Sequence, residues 1–222
     1  MRNISTIIFD VNETLLDLSP LKDSIDSKLG EGAAEVWFAE LLQYSLVESI
    51  SGSYHDFSKI AEAVLQMNGS KKGIELTREK IQQILDPITK LEAYPDVEEG
   101  LSKLGNAGFK LIAFSNGKPS VLKDQLYYAG IANYFDEVLS VDAVKKYKPH
   151  PETYRFALKR SDSIAQETVM VAAHGWDIAG ADRAGLKTAF MQRPGKFLFP
   201  LSNKPTWELK KLSDLAEILK DI

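Results

Sequence analysis

Four short polar stretches of this 222-residue chain hold residue types that do hydrolytic chemistry. Asp10 follows Thr6-Ile7-Ile8-Phe9 and precedes Thr14. Ser115-Asn116-Gly117 follows Lys110-Leu111-Ile112-Ala113-Phe114, Lys148 closes the run Lys145-Lys146-Tyr147, and His174-Gly175-Trp176-Asp177 lies just beyond Thr168 to Ala172. A carboxylate with an unperturbed pKa of about 3.9 is ionised at neutral pH, so Asp10 needs no activating base to act as a nucleophile. Each stretch also has a plainer explanation. Aspartate after a strand is usually a turn or capping acid, Ser-Asn-Gly is a good turn, and a short lysine run is usually a solvated face. A lone histidine such as His174 is more often core or surface, Asp177 suits the N-terminal dipole of a helix, and Tyr154 on an amphipathic helix is more often core. Against coincidence stands their common placement at strand ends.

The elements that position them follow from hydrophobic pattern. Thr6 to Phe9 reads as a strand buried on both faces, as in the middle of a parallel sheet. Beyond Asp17 the pattern is helical up to residue 92. Ala33 to Glu48 carries Trp37, Leu41 and Tyr44 on one stripe, and His55 to Met67 forms a second helix with Asn68-Gly69 as its expected stop. Thr77 is the expected cap of a third, which Pro87 should break. Then strands and helices alternate. Strands are expected at Lys110 to Phe114, Glu137 to Ser140, Thr168 to Ala172 and Lys187 to Met191. Helices are expected from Val97, Pro119, Pro151 and Trp176, with Ser213 as a candidate cap of the last. Such alternation with short joints predicts an α/β fold, a doubly wound parallel sheet with right-handed crossovers. The expected division is a core of 1–16 and 93–222 with a helical cap of 17–92 inserted after the first strand. In such a sheet the four polar stretches share one carboxyl edge, where open α/β folds gather their chemistry.

The totals restrict the class. Hydrophobic content of 44% and charged content of 26% are ordinary for a globular protein, and a net charge of −4 with no long basic run argues against a nucleic-acid partner. The absence of cysteine excludes thiolate nucleophiles, cysteine metal sites and disulfides, and is compatible with a reducing cytosol. No apolar run approaches membrane-spanning length, and one Arg leads directly into the first strand without a signal-peptide pattern. A soluble, cytoplasmic protein acting on a small molecule is expected.

The order Asp10-x-x-x-Thr14, Ser115-Asn116, Lys148-Pro149 and a late Asp177 resembles the haloacid dehalogenase superfamily. Phe9-Asp10-Val11-Asn12-Glu13-Thr14-Leu15, the spacing from Lys148 to Tyr154, and Trp176-Asp177 followed by Gly180-Ala181 are most similar to its L-2-haloacid dehalogenase branch. The resemblance implies that Asp10 displaces halide from carbon to form an ester that water then hydrolyses, without metal. It implies that Lys148 holds Asp10 as the anion, that Thr14 and Ser115 donate hydrogen bonds around it, and that Asn116 binds the oxyanion of ester hydrolysis. Asp177 would position or deprotonate the water. Trp176 and Phe38 would wall the substrate, with Tyr154, His174 and Asn12 as further contacts. Members often dimerise, so a homodimer is possible.

Three positions depart from the pattern. Phe38 stands where the branch carries a halide-binding arginine, Ala172 where it carries a serine, and His174 where it carries an asparagine. His174 brings a group that titrates near neutral pH. The rival reading is a magnesium-dependent phosphatase, which the resemblance disfavours because Asn12 replaces a second, proton-donating aspartate and Ala173 replaces an acidic ligand. Mg²⁺ is therefore possible and disfavoured. A third reading is a degenerate member kept for binding.

Overall fold

A run in which every residue is buried must be flanked on both edges and covered on both faces, and Thr6-Ile7-Ile8-Phe9 is such a run. In the structure, a computed structural model that describes residues 4–220, β1 (Thr6–Phe9) lies between β2 (Lys110–Ser115) and β4 (Thr168–Ala172), parallel to both. β3 (Glu137–Ser140) joins the far edge of β2, and β5 (Lys187–Met191) and β6 (Trp207–Leu209) extend the sheet beyond β4. The strand order is β3-β2-β1-β4-β5-β6, all parallel. The connections run outward from β1 in both directions, so the crevice between β1 and β4 is the topological switch point, where such sheets bind ligands. Met1, Arg2 and Asn3, on which the expectation of no leader sequence partly rests, lie outside the described residues.

Between β1 and β2 the chain forms four helices, α1 (Ser19–Leu29), α2 (Ala33–Ser51), α3 (Phe57–Lys71) and α4 (Arg78–Leu85), followed by a 3-10 turn (Asp86–Thr89). It leaves and returns at paired points. Asp17 N–H donates to the Glu92 carbonyl at 2.9 Å and Tyr94 N–H to that of Leu15 at 2.9 Å. The C-terminal end of α2 docks on the segment after β3. Ser49 Oγ accepts from Tyr147 N–H at 2.9 Å, and Lys146 Nζ donates to the Ser49 carbonyl at 2.9 Å.

The remaining helices cover the sheet: α5 (Val97–Asn106), α6 (Pro119–Tyr128), α7 (Pro151–Arg160), α8 (Gly175–Arg183) and α9 (Leu212–Lys220). Two expected boundaries are corrected. Asn68-Gly69 does not stop α3, which runs on to Lys71. Gly69 is present for space, since a Cβ there would sit 2.8 Å from the Ile74 carbonyl oxygen, and the turn to positive φ comes at Gly73. Ser213 is inside α9 and does not cap it. The amides of Lys211 and Leu212 donate instead to the side chains of Asp214 (2.9 Å) and Asp96 (2.8 Å).

Candidate active site

Asp10 is the first residue beyond the central strand, fixed by donation of its N–H to the Val171 carbonyl at 3.0 Å. It is 5% exposed, so its carboxylate depends on its partners. Oδ1 accepts from Lys148 Nζ at 2.8 Å, while Oδ2 is 2.9 Å from Thr14 Oγ1 and 3.0 Å from His174 Nδ1. The Thr14 hydroxyl is oriented, because its oxygen accepts from the Ala173 N–H at 2.9 Å and its proton therefore turns to Asp10. Burial raises the Asp10 pKa, but the Lys148 charge and the His174 hydrogen bond outweigh it, and the carboxyl is held far below the ordinary carboxylate range.

Lys148 reaches this point from the loop after β3. Its backbone N–H donates to Asn116 Oδ1 at 2.9 Å. All three ammonium protons have acceptors: Asp10 Oδ1 at 2.8 Å, Asp177 Oδ2 at 2.6 Å and the Phe114 carbonyl at 3.2 Å. Burial alone would lower the Lys148 pKa, yet the two carboxylates raise it above its ordinary value. Asp177 in the first turn of α8 is fully buried, and its other oxygen accepts from the Tyr154 hydroxyl at 2.5 Å. Burial raises the Asp177 pKa, while two donors keep it an acceptor.

The structure thus brings Asp10, Thr14, Lys148, Asp177, His174, Trp176 and Phe38 together and gives the other expected residues different partners. Tyr154 is buried beneath the site and holds Asp177, so it positions a carboxylate where a substrate contact was expected. Ser115 Oγ accepts from the Gly117 N–H at 2.9 Å and so fixes the turn, with no hydrogen bond to Asp10. Asn116 is engaged through Oδ1 in holding the Lys148 backbone. Asn12 Oδ1 accepts from Gln125 Nε2 at 2.9 Å. Asn12 and Gln125, with Trp37, Leu41, Phe57 and Gly117, line a cavity of about 240 Å³ between the inserted helices and the sheet edge.

Two of the departures from the family pattern meet here. The His174 ring stacks on Trp176, with centroids 5.1 Å apart, and on Phe38 at 5.8 Å. Residues that the sequence did not single out complete the cluster. His174 Nε2 is 3.0 Å from Glu13 Oε2, and Glu13 also receives Lys196 Nζ at 2.5 Å and Lys22 Nζ at 2.5 Å. Burial raises the Glu13 pKa, but the hydrogen bonds from His174, Lys196 and Lys22 bring it down to about 2. Burial disfavours the charged form of His174, and the two flanking carboxylates override that, so its pKa is raised. Arg193 braces the turn from behind, donating from Nε to the Thr14 carbonyl at 3.0 Å and from Nη1 to Asp96 at 2.6 Å. Position in the Asp10-to-Thr14 turn was the one available signal for Glu13, and for Arg193 and Lys196 it was the end of the fifth strand.

Mg²⁺ asks for several hard oxygens in octahedral array, and this donor set does not offer them. The Lys148 ammonium fills the space between Asp10 and Asp177, Asn12 accepts from Gln125, and Ala173 offers no carboxylate. Among the described residues no group of three or more acidic or histidine side chains is placed to hold an ion. Nor, among them, is any helix long and apolar enough to cross a membrane.

A model of haloacid dehalogenase-like hydrolases matches residues 7–191. The chain is 31% identical over 225 residues to (S)-2-haloacid dehalogenase 1 of Pseudomonas sp. strain CBS-3, covering 99% of this chain and 98% of that one. Its fold is similar to that of the L-2-haloacid dehalogenase of Xanthobacter autotrophicus, with a TM-score of 0.92, 25% identity and 99% of each chain covered. The structure of that enzyme with chloropropionic acid covalently bound superposes with a TM-score of 0.91 at 24% identity and 99% coverage of each chain.

Proposed function

The chain belongs to the haloacid dehalogenase-like hydrolases, and on that premise we propose that it is a metal-independent dehalogenase of short L-2-haloacids with Asp10 as its nucleophile. The observation that carries the reading is the placement of the Lys148 ammonium between Asp10 and Asp177, at 2.8 and 2.6 Å. A fixed organic cation there holds Asp10 ionised and takes the place a metal would need. Oδ2 of Asp10 has two partners and Oδ1 has one. The free lone pair on Oδ1 therefore attacks C2 in line and the halide leaves with the bonding electrons. Water then cleaves the ester at Asp10 Cγ. Phe38 cannot meet the leaving charge as an arginine would, and Lys196 Nζ lies over its ring, 5.6 Å from the centroid.

Residues 17–92 act as a cap over the sheet edge in this reading, with 1–16 and 93–222 as the core. The paired strands of chain at Leu15-Asp17 and Glu92-Tyr94 are where it would hinge. The small cavity beside Asn12 suits the alkyl group of a short acid. No nucleic acid or membrane enters the reading, the compartment is the cytoplasm, and a homodimer is compatible with it.

The test is a panel of short L-2-haloacids and phosphomonoesters, with and without Mg²⁺, on wild type and Asp10→Asn. Halide release that needs no metal and falls by about 10³-fold or more in Asp10→Asn is the expected result. Unchanged release in the variant, or metal-dependent phosphate release by the wild type, would sink the reading.

A further inference from the structure

We infer that Glu13 and His174 form a charged dyad that serves ester hydrolysis: His174 is a catalytic oxyanion donor to Asp10 Oδ2, and Glu13 is the positioning residue that keeps it charged and aimed. This rests on the dehalogenase reading above and concerns its second step.

The geometry assigns the oxygen first. Oδ2 accepts from Thr14 Oγ1 at 2.9 Å and faces His174 Nδ1 at 3.0 Å, so both of its lone pairs have partners. Alkylation falls on Oδ1, and Oδ2 becomes the carbonyl oxygen of the ester. When water attacks Cγ, the electron pair of that carbonyl moves to Oδ2, where two donors already stand at hydrogen-bond distance. Collapse of the tetrahedral intermediate breaks the Cγ–O bond to the alkyl group. The departing alkoxide takes one proton of the attacking water, and the other is shed to solvent as Asp10 returns to its carboxylate. Donors placed in advance on the oxygen that gains charge are the most effective electrostatic device of acyl transfer.

Asn116, the sequence-based candidate for this role, is held by its carbonyl end to the Lys148 backbone and makes no hydrogen bond to Asp10, whereas His174 Nδ1 faces Oδ2 at 3.0 Å. Glu13 explains why a histidine works in its place. Once Asp10 is esterified it is no longer an anion, and a histidine held only by Asp10 would lose the partner that keeps it protonated. Glu13 lies 3.0 Å from Nε2 on the far side of the ring and persists as a carboxylate through both steps. Its backbone supports the same view. Glu13 has φ of +58°, a conformation that a non-glycine residue adopts at a cost, and that turn places its side chain behind His174. The groups facing the ring or its partners are Asp10 and Glu13 at the two nitrogens, Lys22 and Lys196 on Glu13, and Lys148 across Asp10. Phe38 and Trp176 stack on the ring. Aromatic neighbours favour the cationic ring over the neutral one.

The experiment uses L-2-chloropropionate without added metal, following chloride and 2-hydroxy acid by rapid quench and the covalent ester on Asp10 by intact mass. His174→Ala should give a stoichiometric chloride burst, an accumulated ester, and hydroxy-acid release slowed by about 10²-fold or more. His174→Asn restores a neutral donor and should recover part of that loss. In Glu13→Gln the basic limb of the hydrolysis rate should move to lower pH, because the imidazolium gives up its proton sooner. A merely structural role for Glu13 would not move that limb. Wild-type turnover with no ester in either His174 variant, or an unmoved limb in Glu13→Gln, overturns the dyad alone. No chloride from the wild type overturns the dehalogenase reading and the dyad with it.

Discussion

At the scale of single residues, the departures from the family pattern form one connected unit. Phe38 stacks on His174, His174 bridges Asp10 and Glu13, and Lys196 joins Glu13 beside the Phe38 ring. Phe38 and His174 were visible in the sequence as separate losses because the contact joining them spans more than a hundred residues. Glu13 carried no such flag, since any residue fits the gap in Asp-x-x-x-Thr. Asp10, Thr14, Lys148 and Asp177 were legible because each lies in the polar stretch that follows a strand, and the order of those stretches matches the family's. The roles of Ser115, Asn116 and Tyr154 were not, because which atom a polar side chain spends on a neighbouring backbone group depends on turn geometry. Lys148 carries the clearest energetic prediction. Lys148→Met leaves buried Asp177 without a counter-charge and Asp10 with His174 alone, which costs about 3–5 kcal/mol. Denaturant unfolding at neutral pH should show that loss, and part of it should return in Lys148→Met combined with Asp177→Asn.

At the scale of elements, packing against α7 and α9 depends on glycines that serve for space. A Cβ at Gly180 in α8 would lie 2.5 Å from the Tyr154 hydroxyl, and one at Gly100 in α5 would lie 2.6 Å from Leu212. Gly180→Ala should destabilise by about 1–3 kcal/mol through overpacking. It should also lower turnover beyond what Gly100→Ala does, because only Gly180→Ala moves the hydroxyl that holds Asp177; melting temperatures and kcat of the two variants check this. The strands β1, β4 and β5 were legible to the residue because continuous apolar runs end sharply at polar turns. β6 was missed, since three residues at a sheet edge leave almost no pattern. Gly69 misled because a helix tolerates glycine where another segment's backbone presses against it. Ser213 misled because the helix start is satisfied by acids at 96 and 214.

At the scale of the whole molecule, the Glu13 cluster ties together α1 through Lys22, the switch point through His174, and the segment after β5 through Lys196. Stability should follow its titration. The Glu13 pKa is lowered from 4.5 to about 2, so its contribution is complete above 4.5 and is lost as the pH falls toward 2. His174 is raised, so its contribution is complete below its ordinary value of 6.5 and fades as the pH rises through the folded-state value. Melting temperature measured across pH should therefore peak between these limits, and Glu13→Gln should flatten the acid side.

The fixed charges of this cluster do not cancel. Three carboxylates, Asp10, Glu13 and Asp177, are chained by hydrogen bonds to four cationic groups, Lys22, Lys148, Lys196 and protonated His174. The resting cluster is short of one negative charge. A monocarboxylic acid brings that one and no more, whereas the dianion of a phosphomonoester would bring a surplus among buried side chains, where an unmatched charge is expensive. In the proposed reading the balance of fixed ions would favour a singly charged guest before any single contact reads its shape.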